Sequence, residues 1–105
     1  MDAPALSPEM KALRESAGEA AQLMKLLAHE GRLLVLCHLI GEGELSAGQL
    51  GERVGLSQSA LSQHLAKLRG DGLVAVRREA QTIFYRIADE KAARVLGVLK
   101  DIYCP

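Results

Sequence analysis

Two cysteines and three histidines are the side chains of this 105-residue sequence that could carry redox or metal chemistry. They are Cys37, Cys104, His29, His38 and His64. Two thiols can be oxidised to a bridge, whereas a structural zinc ion needs about four ligands around it. Cys37 and His38 are neighbours in a predicted helix, where consecutive side chains point about 100° apart, so they cannot hold one ion together. We therefore predict no metal site within one subunit, and a site assembled across subunits stays open as an alternative.

Catalytic arrangements are not predicted from these residues. A thiol enzyme of the thioredoxin type would need Cys-x-x-Cys at the start of a helix, and the sequence has no such pair. A hydrolase would need a nucleophile, a base and an orienting acid. Ser57 and Ser59 precede His64, but helix capping and DNA contact explain both serines better. The sequence therefore predicts a protein that is not an enzyme and that needs no cofactor.

Charge is distributed unevenly along the chain, although the net charge is zero. Residues 1–52 carry four basic and eight acidic side chains, and residues 87–105 carry three of each. Residues 53–86 carry six basic side chains against Asp71 and Glu79. A basic segment in an otherwise acidic chain is expected where one face of a protein meets phosphate. A solvated charged surface is the alternative, and charge alone does not decide between the two.

The elements that must position these residues are indicated by caps and periodicity. Ser7-Pro8-Glu9 combines a cap, a proline at the first helical position and an acid near the positive end of a helix. Ser46-x-x-Gln49 is a capping box, and β-branched runs on either side of residues 79–81 indicate a hairpin. The predicted order is α-α-α-α-β-β-α, with helices 8–27, 30–40, 46–54 and 57–69, strands 73–78 and 82–87, and a last helix capped by Asp89.

Helices 46–54 and 57–69 have the spacing of a helix-turn-helix, and the basic hairpin makes the whole a winged helix. In this arrangement the second helix enters the major groove of duplex DNA, where its first residues reach base edges. The predicted contacts to bases are Gln58, Ser59, Ser62 and Gln63, the predicted contacts to phosphate are Lys67, Arg69, Arg77 and Arg78, and His64 is predicted as a further DNA contact. His64 is also expected to pack near Leu61 and Leu68. The alternative is a helical pair with a polar surface that binds nothing.

A family resemblance covers nearly the whole chain. The sequence is similar to the ArsR/SmtB family of bacterial repressors in the segments LLAHEGRLLVLCHL and LGERVGLSQSALSQHLAKLRGDGLVAVRREAQTIFYRIAD. Residues 56–65 and 72–78 and the pair Phe84-Tyr85 are the most specific parts. The resemblance implies a homodimeric winged-helix repressor, paired through its first and last helices, on an inverted-repeat operator. The family usually has glycine at the tip of the wing, where this chain has Ala80, so a different wing turn is expected.

The resemblance also indicates which chemical signal, or inducer, could release such a repressor from DNA. Residues 42–56 contain no Cys or His where one metal site of the family has Cys-x-Cys, and residues 89–103 offer Asp89, Glu90 and Asp101 but no His. Cys37 in LLVLCHL and Cys104 in IYCP resemble the persulfide-sensing, BigR- and SqrR-like branch. That branch implies a disulfide or polysulfide bridge between these cysteines, formed by reactive sulfur species, that releases DNA. A metal-responsive repressor and a DNA-binding protein without an inducer remain alternatives.

The sequence also predicts the compartment of the protein and its number of domains. The longest apolar run, residues 33–37, is far shorter than the roughly 20 residues that span a membrane, and residues 1–10 lack the features of a signal peptide. We therefore predict a cytoplasmic protein with no membrane partner. Residues 1–105 are expected to form one domain. Because so small a domain has a limited core, burial by homodimerisation is expected.

Overall fold

The structure, a computed structural model, describes residues 7–103. Within these residues, five helices and a small sheet follow one another along the chain. Their bounds are α1 Pro8–Leu27, α2 Glu30–Glu42, β1 Glu44–Ser46, α3 Ala47–Val54, α4 Gln58–Gly70, β2 Val74–Glu79, β3 Thr82–Ile87 and α5 Glu90–Tyr103. The predicted winged helix-turn-helix is confirmed, with α3 and α4 as the helix pair and the β2–β3 hairpin as the wing.

Side-chain caps fix the two helices of the helix-turn-helix. At the start of α3, the Gln49 amide N–H donates to Ser46 Oγ over 3.1 Å, and the Ser46 amide N–H donates to Gln49 Oε1 over 2.9 Å. These reciprocal bonds are the predicted capping box. Gly55 ends α3 with a φ of +67°, a left-handed conformation that glycine adopts without steric cost. Ser57 Oγ then accepts the Ala60 amide N–H over 3.1 Å and starts α4.

One strand was not predicted from the sequence. Residues Glu44–Ser46 form β1, which pairs antiparallel with β3, so the sheet order is β1-β3-β2. The segment has three residues, which is too short for an alternating pattern to be recognised, and it lies directly between the end of α2 and the cap of α3. Because Ser46 is both the last residue of β1 and the cap of α3, the sheet is joined directly to the helix-turn-helix.

The core is built around α2, which packs against α3, α4, α5 and β3. Fully buried side chains come from each of these helices, and the largest include Leu36, Leu50, Leu68 and Leu96. The sequence of α2 is apolar on nearly every side, which predicts a helix buried all round, but Leu34 is 40% exposed. One face of α2 therefore remains accessible to solvent.

The two end helices expose apolar side chains. On α1, apolar residues recur at three- and four-residue spacing along one face, and three of them, Met10, Leu13 and Met24, are exposed. The helical spacing of Ile102 after Ala92 and Leu96 predicts that it points inward, but it is 62% exposed, because α5 extends past the core that the buried Ala92 and Leu96 reach. Among residues 7–103, no helix has the length and apolarity to span a membrane.

Ala80, at the tip of the wing, has a φ of +54°, the left-handed region in which a Cβ is strained by about 1–2 kcal/mol. Ala80→Gly removes this strain but adds backbone freedom to the unfolded chain, which offsets part of the gain. We expect a free energy of unfolding about 0.5–1 kcal/mol higher than that of the wild type, measured by urea unfolding. Ala75→Gly, inside β2, is the control and should destabilise the protein. Equal destabilisation by both substitutions would contradict the strain at Ala80.

Candidate nucleic-acid interface

The face of α4 that points away from the core carries short polar side chains. Leu61, Leu65 and Leu68 are buried and fix the rotation of the helix. The exposed side chains on its first two turns are the predicted Gln58, Ser59, Ser62 and Gln63. The structure therefore presents four hydrogen-bonding side chains together at the N-terminal end of α4. Amide and hydroxyl groups of this kind match the donors and acceptors at base edges in the major groove.

Basic side chains lie farther along the same helix. Lys67 and Arg69, both predicted to meet phosphate, are exposed in the last turn of α4. Lys67 Nζ lies 3.3 Å from Asp71 Oδ2, an exposed ion pair that contributes little to stability. Arg69 lines the groove between α3 and α4, together with Gln58 and Ser62. Gln58, Ser62 and Arg69 thus combine polar and basic side chains in one accessible groove.

The two arginines of the wing lie on opposite faces of the sheet. Arg78 pairs with Ile83 across the hairpin, on the face of Tyr85, which packs against the core and lines the α3–α4 groove. Arg77 pairs with Phe84, so alternation places it on the other face. The sequence predicted both arginines as phosphate contacts, but only Arg78 lies on the sheet face that the helices cover.

Arg77 is held by three groups that its position in the sequence does not reveal. Its Nε and Nη2 atoms lie 2.8 Å and 2.7 Å from Glu44 Oε1, and its Nη1 atom donates to Glu79 Oε2 over 2.8 Å. Its guanidinium carbon lies 4.5 Å from the centre of the Phe84 ring, within the range of a cation–π contact. The hydrogen bonds to Glu44 and then Glu79 raise the pKa of Arg77 above its ordinary value.

His64 differs from the other predicted contacts on α4, because it is half-buried against the start of α2. Its ring meets that of His29 edge to face, with 4.6 Å between the ring centres. His29 caps α2, since its Nδ1 atom accepts the Gly31 amide N–H over 3.1 Å. A Cβ on Gly31 would lie 2.7 Å from His64 Nε2, so glycine at this position allows the close approach. Contact of His64 with DNA stays a prediction.

The surroundings of His64 predict a pH dependence of stability. Burial, followed by the nearby His29 and Arg32, lowers the pKa of His64 below its ordinary value of 6.5. The unfolded chain therefore binds this proton at a higher pH than the folded protein does, and stability is lost as the pH falls below about 6.5. We expect the urea midpoint to fall between about pH 7.5 and about pH 5.5, and to fall less in His64→Asn. Gln63→Asn, at an exposed neighbour on α4 that does not titrate, is the control and should keep the wild-type difference. An unchanged difference in His64→Asn would contradict the assignment.

The predicted dithiol has one end in the described structure. Cys37 is half-buried on α2 and packs against the core, whereas Cys104 lies outside the described residues. On the same face of α2, one turn farther on, a Cβ on Gly41 would lie 3.6 Å from Lys100 Nζ of α5. The C-terminal half of α5 therefore lies beside the C-terminal half of α2.

Metal ligands are not gathered in the part of the chain that the structure describes. Between residues 7 and 103, no three His, Cys, Asp or Glu side chains lie close enough to hold one ion. Asp89 has a structural role there, because its Oδ1 accepts the Ala92 amide N–H at the start of α5, as the sequence predicts for a cap. The described residues thus provide no observation in favour of a metal-responsive site.

Comparison with known proteins gives consistent matches along the chain. The sequence model described as "Bacterial regulatory protein, arsR family" matches residues 29–76, from the cap of α2 into β2. The chain is 46% identical over 97 residues to the HTH-type transcriptional regulator YgaV of Escherichia coli (strain K12), covering 92% of this chain and 98% of that protein. It is 45% identical over 95 residues to the transcriptional activator HlyU of Vibrio cholerae, covering 90% and 87% of the two chains.

Solved structures agree with these sequence matches. Reduced HlyU from Vibrio cholerae superposes with a TM-score of 0.82 at 45% identity, covering 90% of this chain and 99% of that chain. The transcriptional repressor BigR from Xylella fastidiosa superposes with a TM-score of 0.83 at 41% identity, covering 91% and 97%. The similarity thus extends over almost the full length of this chain and of each protein compared with it, in both sequence and fold.

Proposed function

Because this chain belongs to the ArsR family of bacterial regulatory proteins, it is a DNA-binding transcriptional regulator, and we propose that it is a cytoplasmic, dimeric repressor of an inverted-repeat operator. We further propose that a bridge between Cys37 and Cys104 releases it from DNA. The exposed polar start of α4, beside a basic wing, is the observation that supports the proposal of DNA recognition. Four exposed hydrogen-bonding side chains lie together there, and side chains of this kind at the start of such a helix can pair with base edges.

The proposed contacts fall into two groups. Gln58, Ser59, Ser62 and Gln63 are proposed to read base edges, because they occupy the N-terminal turns of the helix that enters the groove. Lys67, Arg69 and Arg78 are proposed to neutralise phosphate, which supplies affinity and salt dependence with little base preference. His64 is proposed to contribute through the position of α4, since its ring lies against α2.

Dimerisation through α1 and α5 is supported by the apolar side chains that these helices expose. Met10, Leu13 and Met24 lie exposed on α1, and Val98 and Ile102 lie exposed on α5. An exposed ion pair joins Glu19 of α1 to Lys91 of α5, so the two helices approach each other at this point. Covering the exposed apolar side chains with a second copy would place two α4 helices at a fixed separation. Two such helices match half-sites about one helical turn of DNA apart.

The position of Cys37 supports the proposed switch. The contact between Gly41 and Lys100 brings α2 and α5 together one turn after Cys37, and the sequence carries Cys104 one turn after Lys100. The proposed bridge requires that the thiol of Cys104 come close to that of Cys37. A direct disulfide needs Cα atoms within about 7 Å, whereas a bridge with an added sulfur atom spans a longer gap.

The proposed chemistry uses the sulfur donor as the oxidant. The first thiolate attacks the central sulfur of an organic trisulfide and displaces one thiolate, which leaves a mixed trisulfide on the protein. The second cysteine then attacks the resulting mixed trisulfide and displaces the other. Two protein thiols and one trisulfide thus give one bridged protein and two reduced thiols. The bridge changes DNA affinity only if the bridged and the reduced forms favour different dimer geometries.

Selection from a random duplex library tests the DNA-binding proposal and lets the protein itself identify its operator. Reduced protein should enrich an inverted repeat whose half-site centres lie about 10 base pairs or a multiple of that distance apart. Chemical crosslinking of the bound complex should give two protein chains per duplex. Enrichment of a single unrepeated site, or of no sequence at all, would contradict a dimeric operator-binding repressor.

A further inference from the structure

The exposed face of the wing carries a side-chain strap that spans all three strands of the sheet. Arg77 lies on the edge strand β2, and Glu44 lies on the opposite edge strand β1. Between them, Phe84 of the central strand β3 supports the guanidinium with its ring. Glu79 binds the same guanidinium from the tip of the wing. Arg77, Glu44, Phe84 and Glu79 thus form one connected group, which we call the strap.

The charge of this group argues against a phosphate contact by Arg77. One guanidinium is shared by two carboxylates, so the group carries a net negative charge. Three of the five N–H groups of Arg77 are directed at these carboxylates, and phosphate binding would have to compete with them. The group also lies on the sheet face opposite Arg78. An exposed ion pair alone contributes little, but a forked arginine held by two acids and a ring is a network with fixed geometry.

The position of Glu44 decides what the strap can do. β1 runs without interruption into α3, because Ser46 ends the strand and caps the helix. A bond from Arg77 to Glu44 therefore links the wing to the strand that leads into the helix-turn-helix. Such a link fixes the direction of the wing relative to α4, and with it the separation between the phosphate contacts and the base contacts.

We propose that Arg77 is a positioning residue that straps the wing to the helix-turn-helix through Glu44, and that Arg78 is the wing arginine that meets phosphate. The proposal deepens the function above and rests on operator binding. It also assigns Glu44 a role in DNA affinity, although a carboxylate by itself repels DNA. The expected sign of the Glu44 effect follows from this. Glu44→Gln breaks the strap and weakens binding, whereas simple electrostatics predicts that removal of a negative charge tightens it.

The test measures operator affinity of full-length variants over a range of salt concentrations. Glu44→Gln and Arg77→Ala should each weaken operator binding by about 3- to 10-fold, and the slope of log affinity against log salt concentration (the salt slope) should not change. The double variant should bind operator no more weakly than the weaker of the two single variants, because both substitutions break the same contact. Arg78→Ala should lower the salt slope by about 0.9 per subunit. Glu52→Gln, which removes an exposed carboxylate of α3 near the groove, is the matched control and should bind as tightly as the wild type or more tightly.

Two outcomes of the affinity measurements would contradict the proposed role of the strap. Tighter binding by Glu44→Gln would mean that Arg77 contacts phosphate once it is released, and so would a lower salt slope in Arg77→Ala. Hydrogen exchange of the DNA-free protein gives an independent readout. The amides of β2 and β3 should exchange faster in Glu44→Gln than in Glu52→Gln, and equal exchange would also overturn the strap. Failure of the wild type to prefer operator over shuffled duplex would instead refute the proposed function, while the exchange experiment would still decide on the strap.

Discussion

Gln63→Ala is expected to weaken operator binding by about 1–3 kcal/mol, which is about 5- to 150-fold in Kd. Gln63 is exposed on the second turn of α4, where its amide can donate to and accept from one base edge. Alanine removes both hydrogen bonds and leaves the base edge without a partner. The loss should be largest on the selected operator and small on a shuffled duplex, so the ratio of the two Kd values should fall.

Gln22→Ala provides the matched control, because Gln22 is an exposed glutamine on α1 and not on α4. Fluorescence anisotropy with labelled duplexes measures both variants at one salt concentration, and their unfolding curves show that the fold is intact. The control should keep the wild-type Kd on both duplexes. A Gln63→Ala protein that binds operator as tightly as the wild type would show that this face of α4 does not read the sequence.

Cys37→Ser and Cys104→Ser are each expected to bind operator in the reduced state and to ignore an organic trisulfide. The wild type should lose at least about tenfold in affinity on the same treatment, which is a coupling of about 1.4 kcal/mol. The reason is that the switch needs two thiols, and each variant keeps only one. Intact mass of the treated wild type should show one added sulfur atom and the loss of two hydrogen atoms, reversed by dithiothreitol.

The two serine variants control for each other. If persulfidation of one thiol were sufficient, the variant that retains this thiol would still release DNA. Release from either variant would therefore contradict the dithiol switch. Zinc is the second treatment, and release of the wild type by zinc with both thiols unmodified would favour the metal-responsive alternative.

Local signals made most of the fold predictable from the sequence. Ser46 and Gln49 form the capping box that their spacing indicates, and Gly55 ends α3 where the helix-turn-helix needs its turn. The buried leucines of α4 recur at helical spacing, and this periodicity also predicts which side chains of the helix are exposed. The prediction works where a structural feature depends on residues within about one helical turn of each other.

Features that depend on distant residues could not be predicted in this way. β1 has three residues and exists because β3, about 40 positions away, pairs with it. The contact between His29 and His64 joins two helices whose approach depends on a glycine, which no local pattern indicates. The sequence predicts Arg77 as a phosphate contact beside Arg78, because the two basic residues are adjacent, whereas the proposed strap gives Arg77 a positioning role. Only the strand register shows that they face opposite sides and that Glu44 lies within reach of Arg77.

Operator specificity of the reduced protein is the most direct measurement. Anisotropy titrations compare the selected inverted repeat with a shuffled duplex of equal length and composition, at about 0.15 M salt. A dimeric repressor that reads bases through α4 should bind the inverted repeat at least about 10³-fold more tightly than the shuffled duplex. Equal affinity for the two duplexes, with binding in both cases lost as salt is raised, would show a protein that only binds phosphate and would contradict sequence-specific repression.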